Sequence, residues 1–99
     1  MTSYFVYVDD DLKELIPGFF ENRYEEINQI KELFSQKDFN TIKKIGHSIK
    51  GVGGGYGFNY ISELGLQIEE AARQEDEGKL SEIIKNYEEY LNNVEVIYQ

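Results

Sequence analysis

Apolar residues recur at three- and four-residue intervals along almost the whole chain, the spacing that stacks side chains on one face of an α-helix. The cleanest stripe is Ile42, Ile45, Ile49, Val52 and Tyr56, stepping by 3, 4, 3 and 4. Before it, Leu12, Leu15 and Ile16 predict a short first helix that opens near Asp9, Asp10 and Asp11, whose charges suit a helix N-terminus. Pro17 is expected to break that helix, because the residue before a proline is pushed out of the α region. Phe20, Tyr24, Ile27, Ile30, Leu33 and Phe34 predict a long helix, and Asp38 is a good N-cap for the next. Ile61, Leu64, Ile68, Ala71 and Ala72 form a further stripe, and Leu80, Ile83, Ile84, Tyr87, Leu91, Val94 and Tyr98 the last. Only the brief YFVYV run, Tyr4 to Val8, hints at a strand, and its placement within residues 1–8 stays open. Each stripe must be covered by another, and 99 residues suffice for one core. The expected fold is all-α: one domain over residues 1–99, an antiparallel up-down-up-down four-helix bundle with a short extra N-terminal helix.

Charge and residue inventory narrow what such a bundle does. A net charge of -9 argues against nucleic acid or an anionic membrane surface as partner. No apolar run approaches the roughly 18 residues of a membrane span, and YFVYV is too short for a signal-peptide core and runs into three aspartates. A cytoplasmic location is the expectation. Without cysteine there is no disulfide or thiol chemistry, and with one histidine most zinc sites are excluded, so no metal site is expected. Acidity is uneven, however: Lys37, Lys43, Lys44 and Lys50 share one stretch with a single acid, Asp38. The only histidine, His47, lies inside this basic island.

Helical geometry places that histidine. At 100° per residue, His47 falls far from both Ile45 and Ile49, on the face opposite the apolar stripe. Lys43, Lys44, Lys50 and Gly51 are its surface neighbours, with Gly54 one turn further and Asn40 on the approach side. A neutral imidazole is a nucleophile, and ammonium groups beside it would stabilise a doubly charged phosphoryl group. Ser48 is adjacent but about 100° around the helix, so no serine–histidine contact forms.

The segment HSIKGVGGGYG, His47 to Gly57, reads in two ways. By propensity the helix ends after Lys50 and the glycines form a loop, since each helical glycine costs about 1 kcal/mol relative to alanine. Alternatively the helix continues, Gly51 and Gly54 clear the histidine face for a partner, and Gly46 and Gly53 let a neighbouring helix approach. A phosphate-cradling loop fits neither GxGxxG nor GxxxxGK, and no strand precedes it.

With these residues in view, the chain resembles the histidine phosphotransfer (HPt) domains of multistep two-component phosphorelays. The motif is a histidine with lysine at +3, glycine at +4 and glycine at +10, here His47, Lys50, Gly51 and Gly57, supported by Ile49, Gly53, Gly54 and Phe58 and by the helix from Ile61 to Ala72. The resemblance implies that His47 accepts a phosphoryl group from a receiver-domain aspartate, or a kinase, and passes it to another receiver aspartate. It further implies no kinase or phosphatase activity in the domain itself and no cofactor of its own, with Mg²⁺ on the partner receiver. Lys50 is implied as phosphoryl-stabilising, Gly51 and Gly54 as leaving access for the receiver, and Gly57 as a turn position, while the helix is implied to run through the glycines. Lys43, Lys44 and Asn40 are candidate docking residues.

Family members often carry Gln or Glu at +22, hydrogen-bonded to the ring; here that residue is Glu69. A carboxylate accepting from Nδ1–H would present Nε2 as nucleophile, whereas the other reading is one more solvated acid. The expected protein is a monomeric phosphohistidine carrier. Two alternatives stand beside it: a helical docking module that sequesters a response regulator without chemistry, and the phosphotransfer domain of a larger chemotaxis-type or hybrid histidine kinase.

Overall fold

Four helices carry the apolar stripes, and the computed structural model describes them within residues 4–99. They are α1 (Ile16–Ser35), α2 (Phe39–Gly55), α3 (Asn59–Arg73) and α4 (Glu77–Asn93). Residues 1–3 of the domain expected over 1–99 lie outside the described residues. The shared core is built from Phe19, Ile27 and Ile30 of α1, Ile42 and Ile49 of α2, Ile61, Leu64 and Ile68 of α3, and Leu80, Ile83, Tyr87 and Leu91 of α4, with Phe58 between α2 and α3.

One turn design joins the helices three times, at residues 36–38, 56–58 and 74–76. In each, the middle residue has positive φ: Lys37 at 57°, Gly57 at 85° and Glu75 at 54°. The amides of Lys37, Gly57 and Glu75 bond back to the carbonyls of Phe34, Gly54 and Ala72, and those of Asp38, Phe58 and Asp76 to Leu33, Gly53 and Ala71. This Schellman pattern closes each helix on its own last carbonyls. The chain then restarts at once, with the Asp38 and Asp76 carboxylates capping the amides of Thr41 and Lys79.

Helices α2 and α3 are the most closely packed pair. A Cβ on Gly46 would lie 2.8 Å from the Glu69 amide nitrogen and 2.9 Å from the Gly65 carbonyl oxygen, and one on Gly53 would lie 2.7 Å from the Ser62 amide nitrogen. A Cβ on Gly65 would meet the Lys50 amide nitrogen and, at 2.8 Å, the Gly46 carbonyl oxygen. The two backbones therefore touch where these glycines face each other. The Ser62 hydroxyl donates to the Lys50 carbonyl at 2.7 Å, adding a polar tie inside the contact. This resolves the two readings of the glycine segment: α2 continues to Gly55, because α3 packs on the glycines and offsets their propensity cost.

The four helices are compatible with an all-α bundle, and four details of the expectation are corrected. The all-α reading omits a two-stranded parallel sheet, β1 (Tyr4–Val8) with β2 (Val94–Tyr98), in register Tyr4↔Val94 through Val8↔Tyr98. The last helix ends at Asn93, and Val94 and Tyr98, expected at the end of its stripe, lie with Val96 on the inward face of β2. Alternating β-branched residues next to a waiting strand favour that choice. Pro17 breaks nothing: residues Asp10–Leu15 form a 3-10 helix that runs into α1, with Pro17 in the first turn, where a missing N–H costs no bond. On α1 the buried face is Ile16, Phe19, Arg23, Ile27 and Ile30, while Tyr24 lies outward and donates to Asn92 Oδ1 at 2.7 Å.

Gly65→Ala is expected to destabilise the domain by about 1–3 kcal/mol, since the added methyl meets backbone that cannot rotate away. Gly51→Ala, whose Cβ meets nothing within 4 Å, is expected to stabilise it by about 0.5–1 kcal/mol. Urea titrations of both variants check the pair. A second expectation concerns alkali. Burial pushes the Tyr90 hydroxyl up to about 12, aided by Tyr60 and Tyr4, and pushes Tyr87 higher still; neither hydroxyl has a hydrogen-bond partner. Both folded values exceed the ordinary phenol value of 10.0, so their contribution is complete below pH 10 and is lost as pH rises toward 12. Denaturation midpoints are therefore expected to hold to about pH 10 and then fall, less steeply in Tyr90→Phe.

Candidate functional site

His47 sits mid-way along α2 on the face turned from the core, its side chain 70% exposed. The residue before it, Gly46, is buried against α3, so one helical position separates backbone contact from open solvent. That contact brings Glu69 of α3 alongside. Its Oε2 lies 3.1 Å from His47 Nδ1, and the carboxylate is 15% exposed. An ionised carboxylate only accepts hydrogen bonds, so this partner assigns the ring proton to Nδ1 and leaves Nε2 as the unprotonated nitrogen of the neutral ring.

The same Oε2 faces Arg73 Nη2 at 4.0 Å, while Arg73 Nη1 pairs with Glu70. Arg73 lies one turn beyond Glu69 on α3. Its i,i+4 spacing from Glu69 is the sequence signal that marks it, although only the helix–helix contact gives it a bearing on the histidine. Gly65 is the other residue that sequence reading passed over, since it lies within a stripe of apolar residues and its role depends on what faces it.

The remaining site residues fall around the ring as helical spacing predicts. Lys44, Lys50, Gly51, Gly54 and Asn40 are exposed and Lys43 is half-buried. None of Lys43, Lys44 and Lys50 takes part in the ion pairs among the described residues, so their ammonium groups are not committed to carboxylates there. Gly51 leaves open space beside His47, and Gly54 opens toward the Ser62 hydroxyl. Gly57 ends the face with φ of +85°, a left-handed conformation that glycine takes without strain. A shallow cleft lined by Phe39, Asn40, Lys43, Ala72, Arg73 and Glu75 lies toward the α2 N-terminus, so Asn40 and Lys43 share a surface with Arg73.

Among the described residues no group of three or more His, Cys, Asp and Glu is placed to hold a metal ion, and no helix is long and apolar enough to cross a membrane. The fold and site define a helical domain that presents one solvent-facing imidazole, oriented by a carboxylate from the next helix and ringed by uncommitted lysines. Residues 14–95 match the family model of the Hpt domain, and the chain belongs to that family. No curated protein and no solved structure matches it. Membership implies a phosphotransfer carrier role in phosphorelays, and domains of this family interact with receiver domains and kinases, generally without catalytic activity of their own.

The ring tautomer is directly measurable. Long-range ¹⁵N–¹H correlation above the imidazole titration is expected to show Nδ1 protonated in the native chain, and Glu69→Ala is expected to shift the population toward Nε2–H. An unchanged tautomer ratio in Glu69→Ala would show that Glu69 does not hold the ring.

Proposed function

We propose that this chain is a phosphohistidine carrier whose acceptor and donor atom is Nε2 of His47. The observation that carries the reading is the 3.1 Å contact of Nδ1 with Glu69, which leaves the opposite nitrogen as the nucleophile on an exposed ring. The Nε2 lone pair attacks phosphorus of a receiver's aspartyl phosphate. An N–P bond forms, the P–O bond to the aspartate breaks, and the aspartate leaves as a carboxylate. Nδ1 keeps its proton throughout, so the phosphorylated ring carries positive charge next to the Glu69 carboxylate. That charge also makes the ring a good leaving group when the next receiver's aspartate attacks.

Each neighbour has a role in this scheme. Lys50 stabilises the phosphoryl oxygens, and Gly51 and Gly54 let the receiver's loops approach. Gly57 makes the turn that ends the face, and Asn40, Lys43 and Lys44 contribute to docking. Mg²⁺ belongs to the receiver, and the chain needs no cofactor. The carrier acts as a monomer in the cytoplasm, and its three-residue connections suit an antiparallel up-down-up-down bundle.

Incubation with a phosphorylated receiver and Mg²⁺ is expected to transfer label to an acid-labile, alkali-stable site, and His47→Gln to abolish the transfer. Label retained by His47→Gln sinks the assignment, and equal regulatory output from His47→Gln favours docking without chemistry. Gly51→Phe is expected to keep the helical circular dichroism and to slow transfer about tenfold, a loss of about 1.4 kcal/mol of docking free energy. A phosphotransfer profile against the receivers of the source cell identifies donor and acceptor.

A further inference from the structure

The sheet leaves one feature that phosphotransfer does not use. Among the described residues β1 pairs only with β2, which leaves its other edge open. Gln99 N–H donates to the Val8 carbonyl at 3.0 Å, and Asp10 N–H donates to the Gln99 carbonyl at 2.9 Å. Groups facing a partner strand alternate along a ladder. The backbone groups of Val6 and Val8 therefore face β2, and the N–H and C=O of Phe5 and Tyr7 point to the open edge. Across a groove from that edge stand Gly57, Asn59 and Tyr60, with Tyr90 buried beside them. The lining carries no charged side chain, and Tyr4 stacks on Tyr60 with ring centroids 5.6 Å apart.

Natural edge strands are blunted by lysine, proline or a bulge, and YFVYV has none of these; Phe5 and Tyr7 are 57% and 62% exposed. The rim is acidic. Burial, then Tyr4, then the carboxylates of Glu63 and Glu89 hold the Tyr60 hydroxyl above the usual phenol range, and β1 itself runs out into Asp9, Asp10 and Asp11. We infer that this groove binds an extended peptide segment of a partner protein, rich in basic residues, seated as a third strand on the open edge of β1. Main-chain bonds to Phe5 and Tyr7 supply the affinity, and lysine or arginine side chains on the tyrosine rings and acidic rim supply the selectivity.

A second copy of the chain fits this edge poorly. Another copy brings a further net charge of -9 to a groove that its own acidic residues border. The site is also separate from the histidine, since Gly55, the last helical residue before Gly57, lies eight residues along α2 from His47, roughly 12 Å at helical rise.

The test titrates the ¹⁵N-labelled chain with a nonapeptide of alternating valine and lysine, and with its valine–glutamate counterpart. The lysine peptide is expected to shift the amide resonances of Phe5, Tyr7 and Tyr60 and to slow exchange at Phe5 and Tyr7 about tenfold, and to bind about tenfold more tightly than the glutamate peptide. Tyr7→Pro removes an open-edge donor while leaving the Gln99–Val8 bond, and is expected to abolish binding. Glu63→Lys with Glu89→Lys, which leaves the strand intact, is expected to reverse the preference between the peptides. Equal binding of both peptides, shifts confined to residues away from β1, or undiminished binding by Tyr7→Pro overturns the proposal. So does a sedimentation dimer of the free chain with Phe5 and Tyr7 amides already protected, which assigns the edge to a second copy.

Discussion

Helices α2 and α3 meet backbone to backbone at Gly46, Gly53 and Gly65, and most of what distinguishes this domain follows from that contact. Side chains at any of the three positions would hold the helices apart. With hydrogen there, the Glu69 amide nitrogen stands next to Gly46, and a glutamate side chain suffices to reach the imidazole of the following residue. The packing device and the chemical device are thus one helix–helix interface, seen from its buried and exposed sides.

The same contact explains how a helix survives a composition hostile to it. Glycines in α2 forfeit propensity of about 1 kcal/mol apiece. Gly46 and Gly53 offset that cost by admitting α3 to dispersion distance, reinforced by the Ser62 hydroxyl on the Lys50 carbonyl. Gly51 and Gly55 have no such return, because nothing lies within reach of a Cβ at either. Gly51 lies on the exposed face that carries His47, four residues along the same helix.

Around this interface the rest of the chain is scaffolding of a repetitive kind. Three Schellman turns, each with one residue at positive φ, reverse the chain with little slack, and two of them place non-glycine residues, Lys37 and Glu75, in a conformation that costs them about 1–2 kcal/mol. The terminal strands fasten the two ends of the described chain to each other. Only the first of them, β1, lies wholly outside the residues matched to the family, so the clasp and its open edge are in part an addition to the shared helical body.

Much of this was legible in the sequence, because helical periodicity is a local property. The stripe from Ile42 to Tyr56 determined the helix, its buried face and the outward position of His47, and the spacing to Lys50, Gly51 and Gly57 pointed to the family. What local spacing misjudged were choices made by distant neighbours. Val94 and Tyr98 continue a helical stripe on paper and become part of a strand because β1, some ninety residues earlier, offers hydrogen bonds. Pro17 reads as a break and serves as a first-turn residue, since a 3-10 helix delivers the chain in register. Whether the glycines end a helix or carry one, and whether Glu69 is a solvated acid or the partner of the ring, depends on how near α3 comes to α2. Sequence set the faces of the helices; tertiary structure set the distance between them, because a glycine stabilises a helix contact only when another backbone fills the space it leaves.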